Sequence, residues 1–165
     1  MALLTIRTYP DPVLREVAAP ISDITDTIRK LADDMLETMK LSNGAGLAAN
    51  QVGIPVRLIV IDGHLNPENR PLMLINPTIV SMEAEVVAEE GCLSVPRYYE
   101  FIKRAKKVIV EAMDLDKKPF EISCEGPLAK AFQHEIDHLN GILFIDYLSP
   151  VKKSIFKKQY SKIKK

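Results

Sequence analysis

The stretch from Gly126 to Gly141 constrains this chain more than any other part of it. It reads GPLAKAFQHEIDHLNG, with a proline suited to the first helical turn and Asn140-Gly141 suited to a stop, and so predicts one helix. Within it, His134-Glu135-Ile136-Asp137-His138 sets two imidazoles four residues apart, on one face of that helix. The spacing lets both rings reach one metal ion. Glu135, about 100° round the helix from His134, can touch a water beside the ion without ligating it. Two unrelated histidines on an exposed polar helix would give the same letters. The chain has 3 histidines, however, and two of them fall in this frame.

Two histidines do not complete a site, because a catalytic metal centre takes about three protein ligands plus an open position. Downstream of His138 there is no further His or Cys, and Asp146 is the only carboxylate side chain. The missing ligand therefore lies upstream. Cys92, in Glu90-Gly91-Cys92-Leu93-Ser94, is a lone cysteine in a turn beside glycine. Alone it reads as structural filler. Next to a motif that lacks a ligand it becomes the third donor, and a thiolate suits a soft divalent metal. Cys124, in an alternating apolar run, reads as a small core residue instead.

The rest of the chain supplies what the helix packs against. Ile28, Leu31, Met35 and Met39 recur at helical spacing from about Thr25, with Asn43-Gly44 as the stop. Short apolar runs follow at 56–61, 71–75, 86–88, 107–112 and 120–124, mostly β-branched, with connections too short for crossover helices, which predicts antiparallel strands. A last helix opens at Ser149-Pro150. Pro10, Pro12 and Pro20 make the first segment an irregular arm. The expected fold class is α+β: antiparallel β-structure around a central metal-binding helix, with N-terminal and C-terminal helices. Residues 1–165 read as a single catalytic domain, with 150–165 as a basic helix or tail.

Charge is uneven. The 22 basic and 22 acidic residues cancel, yet Lys152, Lys153, Lys157, Lys158, Lys162, Lys164 and Lys165 all lie after Pro150, where no acid occurs. The body is therefore acidic and the tail basic. No apolar run approaches the roughly 20 residues of a membrane span, the opening MALLTIRTYPDP does not read as a secretory leader, and the 2 cysteines make no disulfide scaffold. The expectation is a cytoplasmic protein with neither membrane nor DNA as partner.

Three ordered blocks resemble the signature blocks of the peptide deformylase family: Gly44-Ala45-Gly46-Leu47-Ala48-Ala49-Asn50-Gln51, Glu90-Gly91-Cys92-Leu93-Ser94 and Gln133-His134-Glu135-Ile136-Asp137-His138. The similarity runs from Tyr9-Pro10-Asp11-Pro12 to Leu148-Ser149-Pro150, effectively the whole chain. The resemblance implies a hydrolase that removes the formyl group from N-formylated nascent peptides. It implies Cys92, His134 and His138 as ligands of one divalent ion, ferrous iron in cells, with Zn2+, Ni2+ or Co2+ as substitutes. Glu135 would be the general base and acid, while Gln51 and the Leu93 N–H would donate to the formyl oxygen. Glu90 and Arg104 match positions that pair near the metal loop, and Gly44, Gly46 and Gly91 match backbone positions against the substrate.

Departures fall on the side-chain pocket. Ala45 and Asn50 replace a larger aliphatic residue and a proline, and Ala88, Lys130 and Ala131 stand where larger aliphatic or sulfur side chains are common. Tyr98 and Tyr99 replace residues that often include an arginine near the substrate. Contact of the lysine-rich tail with ribosomal RNA would suit a substrate that emerges there; a solvated helix face is the plain alternative. Two rival functions follow from the motif: an H-E-x-x-H endopeptidase, and an inactive peptide-binding homologue.

Overall fold

In the computed structural model, residues 3–163 are described, with side chains through Tyr160; Lys164 and Lys165 of the basic tail lie outside the described residues. The first helix, α1, spans Asp26–Leu41. Thr25 caps it, its hydroxyl accepting from the Ile28 N–H at 3.3 Å, and Asp26 sits favourably in the first turn. Five strands follow: β1 (Gly46–Ala48), β2 (Leu58–Ile61), β3 (Leu72–Cys92), β4 (Val95–Met113) and β5 (Pro119–Glu125). They form one antiparallel sheet in the order β1-β2-β3-β4-β5, each strand pairing with its chain neighbours. Helices α2 (Pro127–Leu139) and α3 (Pro150–Ile163) close the chain.

The α+β architecture and the three helices agree with the sequence reading, but the strands differ from it. The runs at 86–88 and 107–112 are parts of two long strands that pair from Ile75↔Met113 to Cys92↔Val95. Apolar alternation fails there because both faces of β3 are exposed from Met82 to Val87. Cross-strand charges take its place, such as Glu85 with Lys103 at 3.6 Å. Bulges bend the hairpin near Asn76-Pro77 and again between Glu90 and Cys92, where the strand must turn its end toward α2. Strand β1 was not expected at all: three residues of Gly, Leu and Ala carry no strand signal, and pairing with β2 (Leu47↔Val60) makes it.

Helix α2 lies at the centre. Its apolar side, with Leu128, Phe132, Ile136 and Leu139, packs on Ile59, Ile61, Leu74, Val108 and Val110 of the sheet. Each such side chain contributes roughly 1.5–3 kcal/mol by burial. A second cluster holds α1 against Leu58, Val60 and Ile75. Gln133 pins α2 to β4 in both directions: its Oε1 accepts from the Ala105 N–H and its Nε2 donates to the Ala105 carbonyl, both at 2.9 Å. At the C-terminal end Gly141 has φ 74°, and a Cβ there would stand 2.5 Å from the Arg15 carbonyl oxygen, so the stop requires glycine.

A third cluster docks α3 through Phe156 and Tyr160, which pack on Tyr9, Tyr98 and Phe144. Val151 and Ile155 of the same helix are exposed. Two aromatics one turn apart bury enough surface to hold the helix without them.

Candidate metal centre and active site

The polar side of α2 brings the sequence motif together with the end of β3. Cys92 Sγ stands 3.3 Å from His138 Nε2, which stands 3.2 Å from His134 Nε2, and the three donor atoms all lie within 4.8 Å of one another. Donors about 2.0–2.3 Å from a tetrahedral ion stand roughly 3.3–3.6 Å apart, so the spacing fits one ion. Both histidines are buried; burial together with the neighbouring His134 holds His138 well below the ordinary imidazole range, whereas His134, despite its burial, is raised well above it by Cys92, Glu135 and Glu90. Neutral imidazole is the form that ligates.

Behind the ligands runs a buried ionic chain. Glu90 Oε1 meets His134 Nδ1 at 2.8 Å, and Arg104 donates to both Glu90 oxygens, from Nε at 2.8 Å and from its terminal nitrogen at 2.7 Å. Burial pushes the Glu90 carboxyl up, but the bonds from Arg104 and His134 prevail and bring it down to about 2. Arg104 also donates to Asp137 Oδ2 at 2.7 Å, and the Tyr147 hydroxyl donates to the same oxygen at 2.7 Å. Burial and that bond push the Tyr147 phenol up to about 12. The chain orients His134 from behind, as carboxylates commonly do for ligating histidines. The Glu90–Arg104 pair was expected. Asp137 and Tyr147 were not, although Asp137 lies three residues after His134, where a helix places it near the same face.

Glu135 is 4% exposed, and its Oε1 is buried without a hydrogen-bond partner among the described residues. Burial, the largest influence, raises its carboxyl to about 7. β1 passes directly over it: a Cβ on Gly46 would meet Glu135 Oε2 at 2.8 Å. Gln51 takes the Ala48 N–H on its Oε1 at 2.9 Å, which turns its Nε2 toward Ser94 Oγ at 3.0 Å and Cys92 Sγ at 3.7 Å. Leu93 stands in the short turn joining β3 to β4, beside Cys92.

These groups open onto a cavity of about 510 Å³. Gly44, Ala45, Gly46, Gln51, Glu90, Gly91, Cys92, Leu93, Lys130, Ala131, His134 and Glu135 all line it. His138, Arg104 and Ala88, two residues before Glu90 on β3, do not line it. The lining includes residues that the sequence left unassigned: Asn43, Leu65, Pro96, Arg97 and Pro127. Of the two tyrosines in question, Tyr99 faces the cavity over Gly91, whereas Tyr98 is packed against Phe144 and Phe156. Strand alternation from Val95 separates them; only the location of the cavity was missing.

The polypeptide deformylase family model matches residues 3–154, with Cys92, His134, Glu135 and His138 inside the match. The chain belongs to the polypeptide deformylase family. Members of that family remove N-formyl groups from nascent peptides. Peptide deformylase from Syntrophobacter fumaroxidans is 51% identical over 163 residues, covering 98% of this chain and 96% of that protein. Its counterpart from Alkalilimnicola ehrlichii is 48% identical, covering 99% and 92%. The crystal structure of a peptide deformylase from Legionella pneumophila superposes with a TM-score of 0.92 at 45% identity, covering 99% of this chain and 96% of that one. A peptide deformylase from Ehrlichia chaffeensis in complex with actinonin gives 0.91 at 39%, with 98% of each chain covered.

Proposed function

We propose that this chain hydrolyses the N-terminal formyl amide of formyl-methionyl nascent peptides, releasing formate. The observation that carries this reading is Glu135 Oε1, buried and unpartnered beside three converging ligand atoms at the end of an open cavity. Cys92, His134 and His138 would hold one divalent ion, ferrous iron in cells, with zinc, nickel or cobalt as substitutes. Such an ion supplies Lewis acidity and makes water easier to deprotonate. Glu135 takes the proton from the attacking water at Oε1, hydroxide adds to the formyl carbon, and Gln51 Nε2 and the Leu93 N–H donate to the formyl oxygen as it becomes negative. The C–N bond then breaks, and Glu135 returns its proton to the departing amine. Glu90 and Arg104 keep His134 in the tautomer that presents Nε2 to the ion.

A substrate borne on nascent chains supports a cytoplasmic location, and the lysines of α3 support contact with the ribosome. Its buried Phe156 and Tyr160 leave Lys153 and Lys157 on the exposed side. The test is formate release from formyl-Met-Ala-Ser by anaerobically prepared, metal-analysed protein. Glu135→Gln should keep its metal and lose about 10²–10⁴-fold in turnover. Near-wild-type release by that variant would remove Glu135 from the reaction, and cleavage of unblocked peptides in place of formate release would favour an endopeptidase.

A further inference from the structure

Helix α2 places Lys130 four residues before His134 and eight before His138, on the same face, about 5–6 Å per step between Cβ atoms. Lys130 lines the cavity beside Ala45, Leu65, Pro127 and Ala131, a wall otherwise of short or apolar side chains. Its ammonium donates to the Glu89 carbonyl at 3.0 Å, which ties the head group to β3. An ammonium carries about three N–H donors; one is used here, and no carboxylate pairs with Lys130 among the described residues. With Lys130 about one helical turn from His134, a peptide whose formyl group sits at the candidate ligands has room along this wall for its first side chain.

We propose that Lys130 fits this cavity to a first side chain ending in a strong hydrogen-bond acceptor, so that peptides beginning with formyl-methionine sulfoxide are substrates alongside those beginning with formyl-methionine. The inference rests on the deformylase reading above. A thioether accepts hydrogen bonds weakly, whereas its sulfoxide is polar and accepts strongly. In an apolar pocket such a group is rejected unless a donor meets it. The spare N–H bonds of Lys130 are that donor, and the small Ala45 and Ala131 leave room for the extra oxygen. The reaction remains the same hydrolysis: the sulfur arrives oxidised and leaves oxidised, and no oxidant or reductant takes part.

The experiment measures kcat/KM for formate release from formyl-Met-Ala-Ser and from its methionine-sulfoxide form, with metal-loaded wild type, Lys130→Met and Lys130→Arg. In wild type and Lys130→Arg the two substrates should agree within about threefold. In Lys130→Met the sulfoxide should fall behind by about tenfold or more, chiefly through KM, as expected for one lost hydrogen bond to a charged donor. Thermal unfolding checks that each variant is folded, and wild type alone is decisive if Lys130→Met is not. Rejection of the sulfoxide by wild type about a hundredfold or more, or one ratio shared by wild type and Lys130→Met, overturns the proposal. No formate from either substrate with wild type would instead overturn the deformylase reading itself.

Discussion

Replacing Arg104 by methionine tests whether the ionic chain behind the ligands holds the site together. The guanidinium is 4% exposed and meets Glu90 and Asp137, whose side chains are 3% and 18% exposed. Methionine keeps most of the stem and leaves the Glu90 carboxylate buried with His134 as its remaining partner. Breaking a buried pair from one side costs about 3–5 kcal/mol. The carboxyl of Glu90 gives an independent figure: holding it at about 2 against an ordinary 4.5 corresponds to about 3 kcal/mol in favour of its charged form. Urea unfolding at neutral pH of metal-stripped protein should therefore show Arg104→Met destabilised by about 3 kcal/mol or more. In a cycle with Glu90→Gln, the double variant should lose clearly less than the two single losses combined, because it no longer strands the buried Glu90 carboxylate. The sign of the pH dependence follows from the depressed carboxyl. Its contribution is fully present above the unfolded value near 4.5 and fades as pH falls toward about 2, so wild type and Glu90→Gln should converge across that window. A loss below about 1 kcal/mol for Arg104→Met, or strict additivity in the cycle, would show that the chain is incidental to the fold.

Three further outcomes follow from the same geometry. Cys92→Ser should lose bound metal on elemental analysis, while Cys124→Ser, on the far side of the core, should retain it; equal metal content would remove Cys92 from the ligand set. Gly46→Ala should keep metal yet lose roughly a hundredfold in kcat, because the added methyl displaces the Glu135 carboxylate by a fraction of an ångström or more; unchanged kcat would show that Glu135 tolerates movement. Charge reversal at Lys153 and Lys157 should weaken ribosome co-sedimentation at low salt without altering small-peptide deformylation. Truncation after Ser149 is the poorer test, since it strips Phe156 and Tyr160 from the core.

The sequence was most legible where local periodicity and chemistry coincide. Helix α2 carries its own start, its own stop and two histidines at a spacing only a helix makes useful, so its boundaries and the meeting of those two rings were readable. Cys92 stood out because the motif lacks a third donor and Cys124 falls in an apolar run, and the structure brings its Sγ within 4.8 Å of both imidazoles. The long β3–β4 hairpin was not readable in full, because residues such as Glu83, Glu85 and Lys103 face solvent and are held by their cross-strand partners rather than by a core. β1 owes its strand geometry to β2, which no window of three residues reveals. The cavity lining was partly hidden for a similar reason. Arg97 and Tyr99 come from β4 and Pro127 from α2, and they meet only once the hairpin bends toward that helix.

The double tether of Gln133 to Ala105, with Arg104 bridging Glu90 and Asp137, joins hairpin to helix through protein groups alone. Small metal-dependent domains often cannot fold until their ion arrives. Here the links between hairpin and helix are hydrogen bonds and ion pairs of the protein itself, so chelator-treated protein should stay folded, which thermal unfolding checks. A thiolate and two imidazoles discriminate poorly among late first-row divalent ions, and intrinsic affinity rises from iron toward copper and zinc. A fold that does not depend on one ion would leave the choice of metal to the supply when the site fills rather than to the demands of folding.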